Sequence, residues 1–404
     1  MSATSKKTKR NKRKTKKMRG GKSPSFTLMT FNVELFGYLP TYPEKNLIEG
    51  NENIKTPDFS KYEEATIDEM KLLDFKTLFS RVDIACLQES VIKSHDYIYE
   101  PLGEINNFVG TTSIKTAPNY DGQIGKLQQV VSCKSHNLTW PRSVTFYGEG
   151  SKIANSIYVK PAFLRRRPFK SNYFLTRNYE VADVTSIPRC FAMAELTMGG
   201  KKVKVATVHL IGGRFEDEHY FLGTQEQRDM LIEEKKHQLK TVIDVAPDVI
   251  CGDFNTKLKP FRTSGDRSMS SAHPNITAEL MKYAKSFYRT VSSPDDEELM
   301  SLVEKWLFMD EYDAILNDAG YDSVYTEYPR EETSAYGGVV DFIYYKRDRL
   351  EVVDGSVAIL DGVLGTYVPT IDADPRVDRS SLNGLKYVNG FSDHAPVKAT
   401  FRIK

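Results

Sequence analysis

The chain of 404 residues has little cysteine, four in all: Cys86, Cys133, Cys190 and Cys251. None stands near another, and Cys86 and Cys251 lie inside apolar runs. That spacing excludes a disulfide framework and a cysteine zinc site, and leaves small buried thiols in a reducing compartment. Long apolar runs are missing too. No stretch reaches the about 18 residues of a membrane span. The N-terminus has charge but no apolar h-region, which excludes a secretory signal. No internal repeat stands out, and no linker divides residues 26–404.

Acid is the third shortage, and it is local. Residues 1–22 hold eleven Lys or Arg, among them Lys6, Lys7, Arg10, Arg13, Lys16 and Lys17, and no Asp or Glu. Taking those eleven from the 56 basic residues leaves 45 against 54 acids. The rest of the chain therefore carries −9, although the whole carries +2. A segment so charged, with no apolar face, is expected to be a disordered tail over residues 1–25, ahead of one domain over 26–404. It reads as a nuclear address, a nucleic-acid arm or a solubilising tail. As an arm it would bind phosphates by counterion release, with a salt slope of about 0.9 per phosphate neutralised. Its Lys-rich style resembles termini on proteins of large DNA viruses. The expected location is intracellular, in nucleus or cytoplasm, or in a virion, and not secreted.

What is present is apolar periodicity. Residues 26–33 read as a first strand ending at Asn32. A polar loop with Pro40, Pro43 and Pro57 follows, then a helix over 65–81. Residues 83–87 form a buried strand ending in Gln88-Glu89. Short strands occupy 108–160, with 153–159 the clearest. Residues 189–198 and 202–210 make a hairpin about Gly199-Gly200, and its second arm ends in His209. Residues 224–245 are a helix stopped by Pro247. Val249-Ile250-Cys251 is too short for a helix and reads as a buried strand that Gly252 breaks. Asp253 and Asn255 then stand where strand meets loop. Helices are expected over 278–288, 296–308 and 311–319. Residues 339–345 are a strand with Asp341 inside it, and 350–360 another. A polar loop spans 362–390, and 395–403 is the last strand. Hairpins mixed with helices favour sheets packed face to face with helices outside.

Polar residues gather at strand ends: Asn32, Glu89, His209, Asp253 with Asn255, and Asp393 with His394. Each position alone also reads as structural, since Asp and Asn are common in turns. An acid within Val339-Val340-Asp341-Phe342-Ile343 is costly unless paired. His394 is one candidate partner, and an Asp–His pair fixes the imidazole tautomer. Asp253 and Asn255, two residues apart, can aim a carboxylate and an amide at one place, which suits a phosphate and a water beside a divalent ion.

The runs Thr30-Phe31-Asn32-Val33, Leu87-Gln88-Glu89, His209-Leu210, Gly252-Asp253-Phe254-Asn255, Asp341-Phe342-Ile343 and Ser392-Asp393-His394-Ala395-Pro396-Val397 come in a telling order. In that order, from Phe26 to Phe401, the chain resembles the endonuclease/exonuclease/phosphatase superfamily, which includes deoxyribonuclease-like enzymes. The resemblance implies a four-layer α/β sandwich, two mixed β-sheets packed face to face with helices on both outer faces. It implies hydrolysis of a phosphoester with Mg²⁺ or Mn²⁺. By resemblance, Glu89 is the principal metal ligand, with Asn32 and Asp393 nearby. Asp253 orients and deprotonates the attacking water. Asn255 holds a phosphate oxygen or the metal-bound water. His394, oriented by Asp341, stabilises phosphoryl charge or moves a proton, and His209 meets the phosphate from another side. Arg189 and Asn155 are further substrate contacts on the same ground; both also read as ordinary structural residues. Mg²⁺ takes oxygen ligands and keeps several waters, so one or two carboxylates suffice.

Within the superfamily, GDFNTK and GGVVDFIYY differ from the longer GDLNYR-like and DRI-ending runs of inositol polyphosphate 5-phosphatases. Apurinic endonucleases usually carry a tyrosine and a downstream asparagine near the place of His209-Leu210. The pattern is more similar to deoxyribonuclease-, sphingomyelinase-, deadenylase- and tyrosyl-DNA phosphodiesterase-like members. With the basic tail, the expectation is a monomeric nuclease acting on DNA or RNA. The alternative is a phosphatase or sphingomyelinase-like phospholipase acting on a small or lipid phosphoester. A non-enzymatic scaffold comes third, against a full set of candidate catalytic residues.

Overall fold

Turn chemistry frames one half of the molecule. Met198 and Lys201 pair across Gly199-Gly200. Both glycines have positive φ, 56° and 87°, as tight two-residue hairpin turns require. The computed structural model describes residues 23–32, 79, 81–93, 123–124, 127–134, 151–160, 169–174, 180–181, 184–185, 189–258, 274–288, 291–334, 338–360, 366–369, 385–388, 392 and 394–404. The first strands are β1 (Ser25–Asn32), β2 (Ile84–Lys93), β3 (Gln123–Ile124), β4 (Leu127–Lys134), β5 (Ser151–Val159) and β6 (Phe169–Phe174). Next come β7 (Glu180–Val181), β8 (Val184–Thr185), β9 (Cys190–Met198), β10 (Lys201–His209), β11 (Val249–Asp253) and β12 (Tyr321–Ser323). The last are β13 (Asp341–Lys346), β14 (Leu350–Val352), β15 (Ala358–Ile359), β16 (Thr366–Pro369), β17 (Leu385–Val388) and β18 (Val397–Ile403). Helices are α1 (Arg214–Leu222), α2 (Gln225–Asp244), α3 (Pro274–Lys285), α4 (Asp296–Leu307) and α5 (Asp310–Asp318).

Two mixed sheets result. One runs β14-β18-β1-β2-β5-β4-β3, with β15 also on β18; the other runs β12-β13-β11-β10-β9-β6. Each has one parallel pair at its centre, β1 with β2 and β10 with β11, flanked by antiparallel neighbours. The sheets pack face to face, with β1 against β11 and β13, and β10 against β2 and β5. Phe26, Leu28, Ile84 and Cys86 of the first join Val205, Ile250, Cys251 and Phe342 of the second in one core. Cys86 and Cys251 are free and buried, as expected of small core residues.

Helices cover the outer face of the six-stranded sheet. Thr224 starts α2 with a capping box to Gln227, and Leu231, Leu239 and Val242 point inward. Asp295 caps α4, whose first turn carries Asp296, Glu297 and Glu298 and whose last carries Lys305, matching the helix dipole. Tyr220, Phe221, Leu299, Val303 and Trp306 form a second, smaller core among the helices. The chain is an α/β sandwich. The helix expected over 65–81 against the other sheet lies outside the described residues, except that Phe79 is helical and buried. No described helix is long and apolar enough to cross a membrane.

Several boundaries differ from the sequence expectation. Strand β2 does not stop at Glu89 but runs on to Lys93 across a register shift between Leu87 and Ser90. Strand β11 continues through Gly252 instead of breaking there. A Cβ at Gly252 would fall 1.9 Å from the Val208 carbonyl oxygen, so the glycine serves close strand approach. Asp341 opens its strand instead of lying within it. The strand expected over 350–360 is two, β14 and β15, separated by a turn with Gly355 at φ 67°. The loop expected over 362–390 contains the pair β16–β17. Strands β6, β7, β8 and β12 had no counterpart in the sequence reading.

Candidate active site

The sheets bring six expected residues to one pole. Parallel strands end there together, the place where open α/β sheets bind ligands. Asn32 ends β1, His209 ends β10 and Asp253 ends β11. His209 is the register partner of Asp253 on one side, and Asp341 is its partner on the other. Glu89 stands in the β2 bulge with φ 51°, a left-handed conformation that turns it out of the strand's alternation. His394 precedes β18.

Asn32 ties the two sheets together. Its Nδ2 donates to Glu89 Oε1 at 3.1 Å and to Asp253 Oδ2 at 3.0 Å. Beneath it, Gln88 Nε2 donates to Thr207 Oγ1 across the sheet interface at 2.7 Å. Ser392 Oγ donates to the Asn32 carbonyl at 2.7 Å and accepts from the His394 amide at 3.0 Å. His394 Nδ1 sits 2.9 Å from Asp341 Oδ2, and its Nε2 is 3.7 Å from Asp253 Oδ2. The Asp341–His394 pairing expected from sequence is present. Thr333 Oγ1 accepts from the Asp341 amide at 3.2 Å and steadies that strand start.

Asn255 takes a left-handed turn at φ 48°. Its amide donates to Asp253 Oδ1 at 2.8 Å, and its Nδ2 donates to the Leu210 carbonyl at 3.0 Å. A Cβ on Gly212 would lie 2.5 Å from the Asn255 Cβ, so Gly212 lets the loop after β10 close on this turn. Arg189 Nη1 lies 3.2 and 3.0 Å from the two ring nitrogens of His209, and Nη2 is 3.7 Å from Glu216 Oε1. Asn155 is buried on β5 opposite the bulge that carries Glu89. Asp393 lies outside the described residues.

Burial governs the charges. Burial and then the Arg189 charge push His209 down to about 3, so it is neutral at ordinary pH. Its approaches to Asp253 Oδ2 (3.5 Å) and Glu89 Oε1 (3.7 Å) are therefore polar contacts, not ion pairs. Burial would raise the Asp253 carboxyl, but His394, His209, the Asn255 amide and Asn32 outweigh it and hold it low. Burial pushes Asp341 up to about 6, against the pull of His394.

Two triplets have donor atoms within 4.8 Å of one another: Glu89, His209 and Asp253, and Asp253, Asp341 and His394. In the second, Asp341 and His394 are spent on each other. The first offers two carboxylates with the Asn32 amide between them, and the Glu89 side chain is 21% exposed to the cleft. Oxygen donors so placed suit a hard divalent ion that keeps part of its water shell.

Residues 29–394 match the Endonuclease/Exonuclease/phosphatase family. The chain belongs to that family. Members of the endonuclease/exonuclease/phosphatase family hydrolyse phosphoric esters, and this chain is a metal-dependent hydrolase of that class. No curated protein matches it. Among solved structures it is similar to a family protein from Bacteroides thetaiotaomicron, at 10% identity over 94% of this chain and 98% of that one, TM-score 0.44. It is also similar to a mannosyl-6-phosphatase from the same organism (10%, 93% and 99%, TM-score 0.43). A third is the human Nocturnin catalytic domain with bound sulfate (13%, 94% and 94%, TM-score 0.41). None of the three fixes a substrate for this chain.

Sequence reasoning passed over Ser392, Thr333 and Gln88, which hold the site residues in place. It also missed Lys235, a buried lysine on α2 that reaches the Asn255–Thr256 turn. The available signal was a charge between Leu231 and Leu239 on the apolar stripe of that helix.

Proposed function

We propose that the chain is a nuclease that hydrolyses phosphodiester bonds of DNA or RNA with Mg²⁺ or Mn²⁺. The substrate class rests on the eleven cations of residues 1–22 ahead of a chain that is otherwise −9. An acidic catalytic domain repels a polyanion, so the attraction must come from elsewhere, and a cationic arm supplies it. Residues 1–25 are read as that arm and 26–404 as the catalytic domain, acting as a monomer.

Glu89, with Asn32 and Asp393, is the place for the ion. Bound there, a divalent cation would supply charge neutralisation for the phosphoryl oxygens. Asp253 is ionised at neutral pH and fixed by two hydrogen bonds, from Asn32 and from the Asn255 amide. A carboxylate held this low is a weak base, so its first use is to orient a water. It takes the proton as the water oxygen commits to phosphorus. His394 is oriented through Nδ1 by Asp341 and offers Nε2 toward the phosphoryl group, close to Asp253. Neutral His209, backed by Arg189, presents its ring from the other side. Asn155 and Arg189 border the path of the substrate.

A panel of single- and double-stranded DNA and RNA with Mg²⁺, Mn²⁺ or EDTA tests this, using intact chain, chain without residues 1–22, and Asp253→Ala. Cleavage that needs metal, Asp253 and, at moderate salt, the tail is expected. Turnover of sphingomyelin or an inositol phosphate without cleavage of any nucleic acid would replace the nuclease reading with a phosphatase or phospholipase.

A further inference from the structure

Helix α2 buries a cation on a face that mixes Leu231, Leu239 and Val242 with Glu234 and Gln238. Leu231, Lys235, Leu239 and Val242 share the buried face, and Lys235 is 1% exposed. A leucine or methionine would fill that space without desolvating a charge, so the ammonium has to be explained by what it touches. Its Nζ donates to the Asn255 carbonyl at 3.0 Å and to Thr256 Oγ1 at 2.7 Å. Thr256 Oγ1 in turn donates to the Phe254 carbonyl at 3.0 Å. The Trp306 ring lies 4.2 Å beneath the ammonium, and Trp306 Nε1 donates to Asp217 Oδ1 at 2.6 Å. The cation is thus held from the helix side by an aromatic face and spends two of its hydrogens on one turn.

That turn is the strained one. Asn255 has φ 48° without being glycine, which an L-residue keeps only when its surroundings over-determine it. Its amide holds Asp253 Oδ1 and its side chain holds the loop after β10. Its carbonyl, rotated away from the cleft, meets Lys235. The left-handed twist and the hydrogen bond to the Asp253 carboxylate are therefore fixed from behind the sheet.

We propose that Lys235 is a positioning residue for hydrolysis, its buried ammonium locking the Asn255–Thr256 turn so that the Asn255 amide and the Asp253 carboxylate keep their mutual geometry. This rests on the reading of Asp253 and Asn255 as part of the hydrolytic site. Lys235 touches no reacting atom; it acts through Asn255.

The test is a double-mutant cycle of Lys235→Met and Asn255→Ala. It is read as kcat and KM on a labelled single-stranded oligodeoxynucleotide with Mg²⁺, together with hydrogen exchange of the Asn255 amide in metal-free protein. Lys235→Met is expected to lower kcat roughly 10- to 100-fold with KM within about threefold, and to speed exchange of the Asn255 amide at least about tenfold. On the Asn255→Ala background the same change should cost less than about threefold, because the lost Nδ2–Leu210 hydrogen bond and alanine's strain at φ 48° already unseat the turn it serves. Losses that multiply, or an Asn255 amide that exchanges as in the native chain, overturn the proposal. If Asn255→Ala leaves hydrolysis untouched, it is the reading of the site that fails. If the oligonucleotide is not cleaved at all, the nuclease reading fails while the exchange measurement still decides for or against Lys235. Should Lys235→Met melt below the assay temperature, Thr256→Val removes one acceptor of the ammonium without changing side-chain shape. It then takes the same place in the cycle, with the same outcomes.

Discussion

Two buried polar clusters flank the six-stranded sheet, and they are built on opposite terms. The inner one, facing the other sheet at the pole, gathers Asn32, Glu89, His209, Asp253, Asp341 and His394. The outer one, under the helices, gathers Glu216, Asp217, Lys235, Thr256, Tyr283 and Trp306. In the outer cluster Asp217 accepts from Tyr283 and Trp306 at 2.6 Å each, and Lys235 is spent on the Asn255–Thr256 turn. Most of its charges are answered within the protein, Glu216 least well. In the inner cluster Glu89 and Asp253 share one Asn32 amide, and the neighbouring His209 is neutral. Two carboxylates so placed, with the Asn32 amide between them, are the proposed seat of a divalent ion. On that reading, reaction chemistry sits on the face between the sheets, and rigidity is supplied from the face under the helices.

The sharpest break of that contrast is Asp253→Asn. It should lower kcat by about 10³-fold or more, at the upper part of the range for a positioned acid–base group. The melting temperature should fall modestly, since the fold favours the ionised Asp253 and an amide leaves one of its two donors, Asn32 or the Asn255 amide, without an acceptor. Steady-state rates and a melting curve on one preparation decide it. A folded variant that keeps kcat within about tenfold of the parent would make Asp253 a structural residue.

Asp217→Ala should do the reverse. Trp306 Nε1 and the Tyr283 hydroxyl lose a shared acceptor inside the helical core, at a cost of about 2–4 kcal/mol. Chemical denaturation measures that loss. The folded fraction should keep kcat within about tenfold of the parent, far from the fall at Asp253. A catalytic loss as large as that of Asp253→Asn, with unchanged stability, would erase the distinction between the clusters.

The clusters also differed in how far the sequence exposed them. Most inner residues interrupt or end a short apolar run: Asn32 after a strand, Asp253 after Val249-Ile250-Cys251, Asp341 within Val339–Ile343. A polar residue there is conspicuous because its neighbours are not. Outer residues, Thr256 apart, lie on helices, where charges every third or fourth position are normal and mostly solvated. Lys235 differs from Lys236 only by which way the helix turns. Register was hidden for another reason. That His209, Asp253 and Asp341 stand abreast follows from pairing three strands that are distant in the chain, and no local pattern carries it. The bulge at Glu89 was hidden as well: the apolar run ends before it, so the strand seemed to end too. From sequence Gly252 reads as a strand breaker, as glycine in a short run usually does; the neighbouring Val208 backbone explains its presence instead.

Metal should separate the clusters again. At about 100 times its dissociation constant, Mg²⁺ stabilises a native state that binds it by about 2.7 kcal/mol. The resulting rise in melting temperature should vanish in Glu89→Gln and persist in Asp217→Ala. Scans with Mg²⁺ and with EDTA on both variants check it. A rise that survives Glu89→Gln would place the ion elsewhere.

The smallest expected effect concerns Glu216, where the outer cluster is least well closed. Burial pushes its carboxyl from 4.5 up to about 7, only partly offset by Arg189. Below about 4.5 the side chain is protonated in both folded and unfolded chains and pH has no leverage. Between about 4.5 and 7 the folded state holds a proton that the unfolded state has released, so stability falls as pH rises. Above about 7 the full penalty is present and constant. Glu216→Gln removes the ionisable group while keeping its size. It should therefore stabilise the protein by about 1–2 kcal/mol above pH 7, after allowing for the lost attraction to Arg189, and by nothing near pH 4. Denaturation curves of both chains at pH 4, 5.5 and 7.5 would show the gap opening with pH. A gap of the opposite sign at pH 7.5 would mean that the Arg189–Glu216 pair is worth more than the cost of burying it, and that the outer cluster is closed as tightly at Glu216 as it is at Asp217.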